Sequence, residues 1–587
     1  MYTRHQHRLS GLLSLSLVAG LQFAGSASAA EVKNIIILIP DGQSQSIQTL
    51  GRWYRGEPLA LDEMGAGTMA AWMVNSITTD SAPAGTAMAT GYKTTDKFIG
   101  VGPIEANALS TYRLPAEVPG ASDAEKWNWF SYRPLATVLE GAKRQGKATG
   151  LISTSRVTHA TPAGYAAHVD SRSLENDIAE QLVYQNLDVV FGGGWDRLLP
   201  TPDGSRTDGE NLREVLTARG YQWVQTKAEM TALKGGKAWG LFAKSAMMPD
   251  IDRQYSCEQA DEQACNEPTL AEMTGKAIEL LSKNENGFIL TVEGSQIDWA
   301  GHANDPAYML HDFLAFDDAV RVALEFAKTN PGTMLLAAPD HNTGGLTLGN
   351  RSVNWTYTDI TVEDLLDPVK GMQTTAQLIA GTLPEGRDPT PAELQAAVLQ
   401  YWGITLSEED AQEIIAYEKD PDVNGYGYSI PKIVSERHTV LGWTSHGHSG
   451  EDLPFWSFGT NAPVGHIDNT DFAWFAAEAF GLNLDLSDPN GLNQKLFVDL
   501  KSAVKRPMST DLTNPNNPVL TIGQHERFHL HANKDYVLLK RPNGTTLTCL
   551  LDGVVVYAPK ADDGNGRWFA PAKAIEVIRN PLAHCSR

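Results

Sequence analysis

The sequence predicts an α/β fold: a central, mainly parallel sheet flanked by helices on both faces, with a small β-rich domain at the C-terminus. Three observations carry this. Apolar, β-branched runs without polar alternation recur along the chain, as in strands covered on both sides. Amphipathic stretches lie between them, as in βαβ units. Near the end the pattern changes to short alternating strands.

Residues 1–30 read as an export signal. Arg4 and Arg8 make a basic start, an apolar run follows, and Ala27-Ser28-Ala29 or Ser28-Ala29-Ala30 offers a small-x-small cleavage site. A periplasmic or secreted mature protein follows from it, with no later run of the roughly 20 apolar residues that a membrane span needs. NIIILI (34–39), GFILTV (287–292) and TMLLAA (333–338) read as buried strands, and residues 269–283 and 308–328 as amphipathic helices. Together residues 31–505 form the expected main domain.

Residues 350–441 break this rhythm and read as an insertion. It holds a helix opened by a capping box at Thr390-Pro391-Ala392-Glu393 and another over residues 407–417. Residues 506–518 are rich in Pro and Asn and read as a linker. Residues 519–587 follow as the β-rich unit, with turns at Asn543-Gly544 and Asp552-Gly553. Of the three pairings open to the four cysteines, two local disulfides are the simplest, Cys257 with Cys265 and Cys549 with Cys585.

The chain has 587 residues, 47 Lys+Arg against 70 Asp+Glu, and a net charge of −23. Such acidity argues against nucleic acid and anionic membrane as main partners. An anionic substrate would need a site that supplies its own positive charge.

Residues that follow the strands supply the chemistry. Asp41 comes after IIILIP, Glu293 after FILTV, and Asp340-His341 after LLAAP. Ligands of open α/β sheets bind at the carboxyl ends of the strands, so these side chains converge. Asp298 and His302 share a helix face, and His446 and His448 sit in a Gly-rich loop. Oxygen and imidazole without thiolate suits Zn²⁺, and oxygen alone suits Mg²⁺. In TDSAPAGTAMATG (79–91), Asp80 or Ser81 caps a small-residue helix; a serine there is also placed to act as a nucleophile toward phosphate beside metal ions.

The ordered set PDG (Asp41), TDSA (Ser81), HATP (His159 to Pro162), HVDSR (to Arg172), VEGSQIDWAGH (Glu293, Asp298, His302), PDH (Asp340, His341) and HSGED (His448) resembles the alkaline phosphatase family over roughly residues 31–500. The resemblance implies a phosphomonoesterase that uses two Zn²⁺ and one Mg²⁺. Ser81 would be the nucleophile that becomes phosphoserine. One zinc would sit on Asp298, His302 and His448, the other on Asp41, Asp340 and His341 beside Ser81. The magnesium would sit on Asp41, Thr161 and Glu293, and Arg172 would grip the phosphate as a bidentate fork. A homodimer is also implied.

His446 and Arg156 compete with His448 and Arg172, but only the latter two stand in the family's local pattern. Two positions depart from the enterobacterial members, which carry Asp where His159 stands and Lys where Trp299 stands. His159 is expected next to the magnesium set, and Trp299 in place of a basic group predicts weaker phosphate binding and a more alkaline optimum. A phosphodiesterase of the same superfamily is the alternative reading; a non-catalytic phosphate binder is a further one. His525, His529 and His531 of the C-terminal unit read as exposed strand positions rather than a metal site.

Overall fold

A computed structural model of the chain describes residues 31–104, 129–420, 423, 425–562 and 564–585. The expected signal segment, residues 1–30, lies outside them. Twelve strands build the catalytic body: β1 Asn34–Pro40, β2 Gly65–Ala70, β3 Ala148–Arg156, β4 Val189–Gly193, β5 Gln222–Val224, β6 Ala238–Ala243, β7 Phe288–Gly294, β8 Thr333–Ala337, β9 Asn342–Thr343, β10 His448–Ser449, β11 Leu453–Gly459 and β12 Gly465–Asp468. Ten of them form one sheet in the order β12-β2-β11-β8-β1-β7-β3-β4-β6-β5, and β9 pairs with β10 beside it. Only β11 runs antiparallel to its neighbours in the large sheet, so the expected mainly parallel architecture stands.

Period-two geometry explains the apolar runs. In β1, Ile35, Ile37 and Ile39 enter the core on one face of the sheet, and Ile36 and Leu38 enter the core on the other. Both faces are dry, so the run has no reason to alternate. Burying each such side chain contributes roughly 1.5–3 kcal/mol. The helix Pro306–Thr329 covers one face through Phe313, Phe316, Val320 and Leu324. Ser81–Thr90 and Glu175–Tyr184 cover the other through Ala82, Met88, Ile178 and Leu182.

Capping fixes where the helices start. Thr269 and Glu272 form a reciprocal capping box ahead of Leu270–Leu281. In the 350–441 segment the boxes at Thr390/Glu393 and Ser407/Asp410 open Pro391–Trp402 and Glu408–Tyr417. That segment also holds Val362–Lys370, Ala376–Thr382 and Tyr426–His438. Its helices close a small core of their own around Trp402, Leu394 and Ile414.

The C-terminal region differs from its sequence reading in two places. Met508–Asp511, inside the expected linker, is the edge strand of a five-stranded antiparallel sheet and pairs with Val519–Ile522. Thr510 has a reason to be ordered, because its hydroxyl accepts from the Trp568 indole at 3.0 Å. The Asn543-Gly544 turn closes the hairpin of Tyr536–Lys540 with Thr546–Leu550. Asp552-Gly553 closes no hairpin: the chain there crosses to a second sheet of Val498–Asp499, Arg567–Ala570 and Val556–Ala558. Both disulfides form, Cys257–Cys265 and Cys549–Cys585. His529 and His531 share a sheet face, half-buried. Among the described residues no metal-ligand group includes them.

Candidate active site

Three adjacent parallel strands deliver the first ligand candidates. β1 lies between β7 and β8, with Ile39 opposite Glu293, so Asp41, Glu293 and Asp340-His341 leave the sheet side by side. Gly42 makes the turn after Asp41 with φ 72°. A Cβ there would stand 2.6 Å from the Asp298 Cα, so the turn and the helix Gln296–Ala303 approach closely only because this residue is glycine. Asp340 Oδ1 accepts from the Gly42 and His341 amides, which fixes its carboxylate.

Asp298, His302 and His448 form one cluster and Asp41, Asp340 and His341 another, each with ligand atoms within 4.8 Å of one another. All three imidazoles are held in the same tautomer. His302 Nδ1 donates to the His446 carbonyl, and His448 Nδ1 donates to the Thr79 carbonyl at 2.8 Å. Thr343 gives its one hydroxyl proton to Asp298 and therefore accepts from His341 Nδ1 at 3.2 Å. With each Nδ1 so engaged, it is Nε2 of each ring that faces inward, the nitrogen left for a metal; with none present, burial is outweighed by Asp298, which pushes the His448 imidazole up to about 9. His446, the competing histidine, turns its own Nδ1 to the His302 carbonyl and stays outside the cluster.

Ser81 opens the helix Ser81–Thr90, and the capping question is answered by Asp80, whose side chain accepts from Ala82 N. The Ser81 hydroxyl is left to meet His341 Nε2 at 2.9 Å, almost wholly buried. Thr161 Oγ1 lies 3.3 Å from Asp41 Oδ2. Arg172 is held between Asp80, at 2.5 Å, and His159 Nε2, at 3.1 Å. Arg156 is engaged with Glu175 instead. Edge-on packing sets Trp299 against His159, ring centroids 5.6 Å apart. The contacts of His159 are thus with Arg172 and Trp299, on the arginine side of the site.

Electrostatics shows what this arrangement lacks. Burial, then the charges of Asp340, Asp298 and Glu293, pushes the Asp41 carboxyl far up. Burial pushes Glu293 up to about 7 and Asp340 up to about 6. Burial and the neighbouring Arg172 and Arg156 press His159 down to about 3, so it is neutral and accepts from Arg172. For Asp298, burial is outweighed by His448, His302 and His341, which hold its carboxyl below the usual range. Asp41 Oδ1 and Glu293 Oε1 are buried and meet no hydrogen-bond donor. Four carboxylates packed together, two with orphan oxygens, beside three inward imidazole nitrogens are a donor set that fits divalent cations.

Several participants carry no sequence signal for the part they play here, Asp80 being legible only as a helix cap. Asp80 holds Arg172 and Thr343 sets the His341 tautomer. Ser153 donates to Glu293 at 2.6 Å and meets Ser295 at 2.9 Å. Only proximity to the motifs, one residue before Ser81 and two after His341, could have drawn attention to Asp80 and Thr343.

Comparison with known proteins agrees with this arrangement. The family model described as alkaline phosphatase matches residues 32–482. The chain is 31% identical to alkaline phosphatase 3 of Bacillus subtilis (strain 168), over 81% of this chain and 98% of that protein. Its fold is similar to a cold-active alkaline phosphatase from a psychrophilic Shewanella sp., at TM-score 0.61 and 28% identity, over 76% of this chain and 99% of the other. It is also similar to the Thermus thermophilus alkaline phosphatase, at TM-score 0.64 and 25% identity, over 79% and 96%.

Proposed function

This chain belongs to the alkaline phosphatase family, and from that premise we propose that it hydrolyses phosphate monoesters through a phosphoserine on Ser81. The observation that carries the reading is the buried Ser81 hydroxyl at a helix N-terminus, 2.9 Å from His341, which belongs to one of two three-ligand clusters. Asp298, His302 and His448 would hold one Zn²⁺, and Asp41, Asp340 and His341 the other. Asp41, Thr161 and Glu293 would hold Mg²⁺. When bound, these cations neutralise the phosphoryl oxygens and lower the pKa of the attacking hydroxyl.

The chain's own residues do the rest. A guanidinium has five N–H donors. Arg172 gives one to Asp80 and one to His159, so its plane is fixed and three remain for phosphate. Ser81 Oγ gives up its proton and attacks phosphorus; the Oγ–P bond forms as the phosphorus–ester oxygen bond breaks, and the departing oxygen takes up a proton to leave as the alcohol. Water then attacks the phosphoserine, and inorganic phosphate leaves as the Oγ–P bond breaks. Charge on the transferring group makes positioning and electrostatic stabilisation the main contributions. The acidic chain meets an anion at a site where Arg172, and the cations its ligands would hold, reverse the local sign. The reading extends to export, on the pattern of residues 1–30 and the two disulfides, and to a homodimer, on the family's pattern.

The test is hydrolysis of p-nitrophenyl phosphate at alkaline pH, beside bis-p-nitrophenyl phosphate and p-nitrophenyl sulfate. Chelated, Zn/Mg-restored and Ser81→Ala proteins run in parallel. Monoester turnover lost on chelation, restored by metal and absent in Ser81→Ala is the expected result. Dominant diester or sulfate turnover would overturn the substrate class, and no turnover after metal restoration would overturn the enzyme reading.

A further inference from the structure

His446 is a histidine two residues from a ligand candidate that does not itself reach the cluster. Its backbone and side chain grip the end of a helix instead. The helix Gln296–Ala303 carries Asp298 and His302 and ends at Asn304, in the left-handed region with φ 56°. His302 Nδ1 donates to the His446 carbonyl, and His446 Nδ1 donates back to the His302 carbonyl at 2.7 Å. Asn304 Nδ2 adds a third tie, to the Ser445 carbonyl at 3.0 Å. We infer that His446 is a positioning residue for metal binding by His302: its side chain locks its own carbonyl in the one place where that carbonyl fixes the His302 tautomer.

The need for such a lock is visible in the burial. His302 is 30% exposed, whereas Asp298 on the same helix is 6% exposed and sits under the sheet. Packing therefore holds Asp298, but His302 stands in the last turn of a short helix, where its side chain is partly open to solvent. Without the His446 carbonyl, His302 would exchange between its two tautomers and ring orientations, and only one of them presents Nε2 to His448 and Asp298. The 445–448 loop is in turn held by Gly344, whose amide donates to Gly447 O at 2.9 Å. The ring of Tyr428, on the last helix of the 350–441 segment, packs 5.5 Å from that of His446. So the 350–441 segment reaches the His302 end of its helix through the His446 imidazole as well as through direct packing of Tyr426–His438 on Gln296–Ala303.

This inference rests on the two-zinc reading above. Its test is zinc affinity rather than turnover: apo wild-type, His446→Ala and His446→Asn proteins are titrated with Zn²⁺ against a chromophoric chelator, with thermal unfolding of each apo protein alongside. Asn places an amide N–H close to where His446 Nδ1–H lies. Expected is a 10–100-fold weaker uptake of one zinc equivalent in His446→Ala, the size of loss that outer partners of metal ligands produce. The other equivalent keeps its affinity, His446→Asn stays within a few-fold of wild type, and the apo melting temperatures agree. Unchanged affinity in His446→Ala, or equal weakening in Ala and Asn, would overturn the inference and leave the two-zinc reading standing. Wild-type protein that takes up no zinc would overturn both.

Discussion

Arg172→Ala removes the guanidinium that the proposed mechanism assigns to the phosphoryl group. The size of the loss can be worked from its partners. Two of its five donors are committed to Asp80 and His159, and a bidentate grip uses two of the remaining three. A hydrogen bond to a charged group contributes about 1.5–3 kcal/mol net. Two of them give roughly 3–6 kcal/mol, and part of it is returned when water solvates the phosphate in the space vacated. A drop in kcat/KM of about 10²–10³-fold follows, at about 1.4 kcal/mol per factor of ten. Arg172→Lys keeps the charge without the fork and should fall between. The assay is steady-state hydrolysis of p-nitrophenyl phosphate with inorganic phosphate as competitive inhibitor, at saturating zinc and magnesium. A loss below about fivefold in Arg172→Ala, with metal content unchanged, would refute the argument.

Two further outcomes follow from other contacts. Trp299→Lys should lower the phosphate inhibition constant about three- to tenfold, since an ammonium joins Arg172 on the side now occupied by an indole; competitive inhibition measured in both proteins checks it, and a constant unchanged or raised would contradict it. Asp252 tells of stability instead: it accepts from the Thr375 amide and hydroxyl, both at 2.7 Å, and burial pushes its carboxyl from 3.8 up to about 6. A carboxyl raised on folding stabilises most below its unfolded value, and that contribution is lost as pH rises through the folded value. Asp252→Asn keeps an acceptor for the amide and offers a donor to the hydroxyl. It should therefore be the more stable protein above pH 6, by up to about 3 kcal/mol, with the two converging below pH 4. Melting curves from pH 4 to 8 decide it, and a variant less stable at pH 8 would contradict the sign.

What the sequence made legible follows from where polarity sits. β1, β7 and β8 are dry on both faces, so their apolar runs stand out, and an acid directly after such a run has few reasons to be there. β3 (ATGLISTSR) is equally central but was not read as a strand, because Ser153 and Ser155 point inward to Glu293 and to each other rather than to solvent. The ligand set was legible through its motifs. The groups that orient the ligands were not, since the Thr79 and His446 contributions are main-chain carbonyls, which every residue has. The Met508–Asp511 strand was hidden among Pro and Asn, and its register depends on a partner strand that follows it in the chain.

The expected β-rich C-terminal unit forms, and it is also tied closely to the main domain. The 532–535 segment that joins two of its strands is buried in the catalytic body, and what it touches is polar. Lys534 lies 3.1 Å from Glu180, Asp535 pairs with Arg219 at 2.7 Å, and Asn533 accepts from Gln181 Nε2 at 2.9 Å. Gln181 in turn accepts from the His168 amide at 2.7 Å, four residues before Arg172. The side chain of His168 is fixed between the Gly100 carbonyl and Glu140. The loop that presents Arg172 lies beyond the end of β3 and is held in two ways: by backbone pairing, Val169 with Ile99 and the Arg172 amide on the Lys97 carbonyl at 2.8 Å, and by a buried polar network that the C-terminal unit completes. Buried donors and acceptors in such a network are costly to leave unmade, at about 1–3 kcal/mol each. Strand ends can place Asp41, Glu293 and Asp340 through backbone pairing alone. A loop arginine draws also on partners from elsewhere in the chain, and here one set of them begins at Asn533, 361 positions downstream of it.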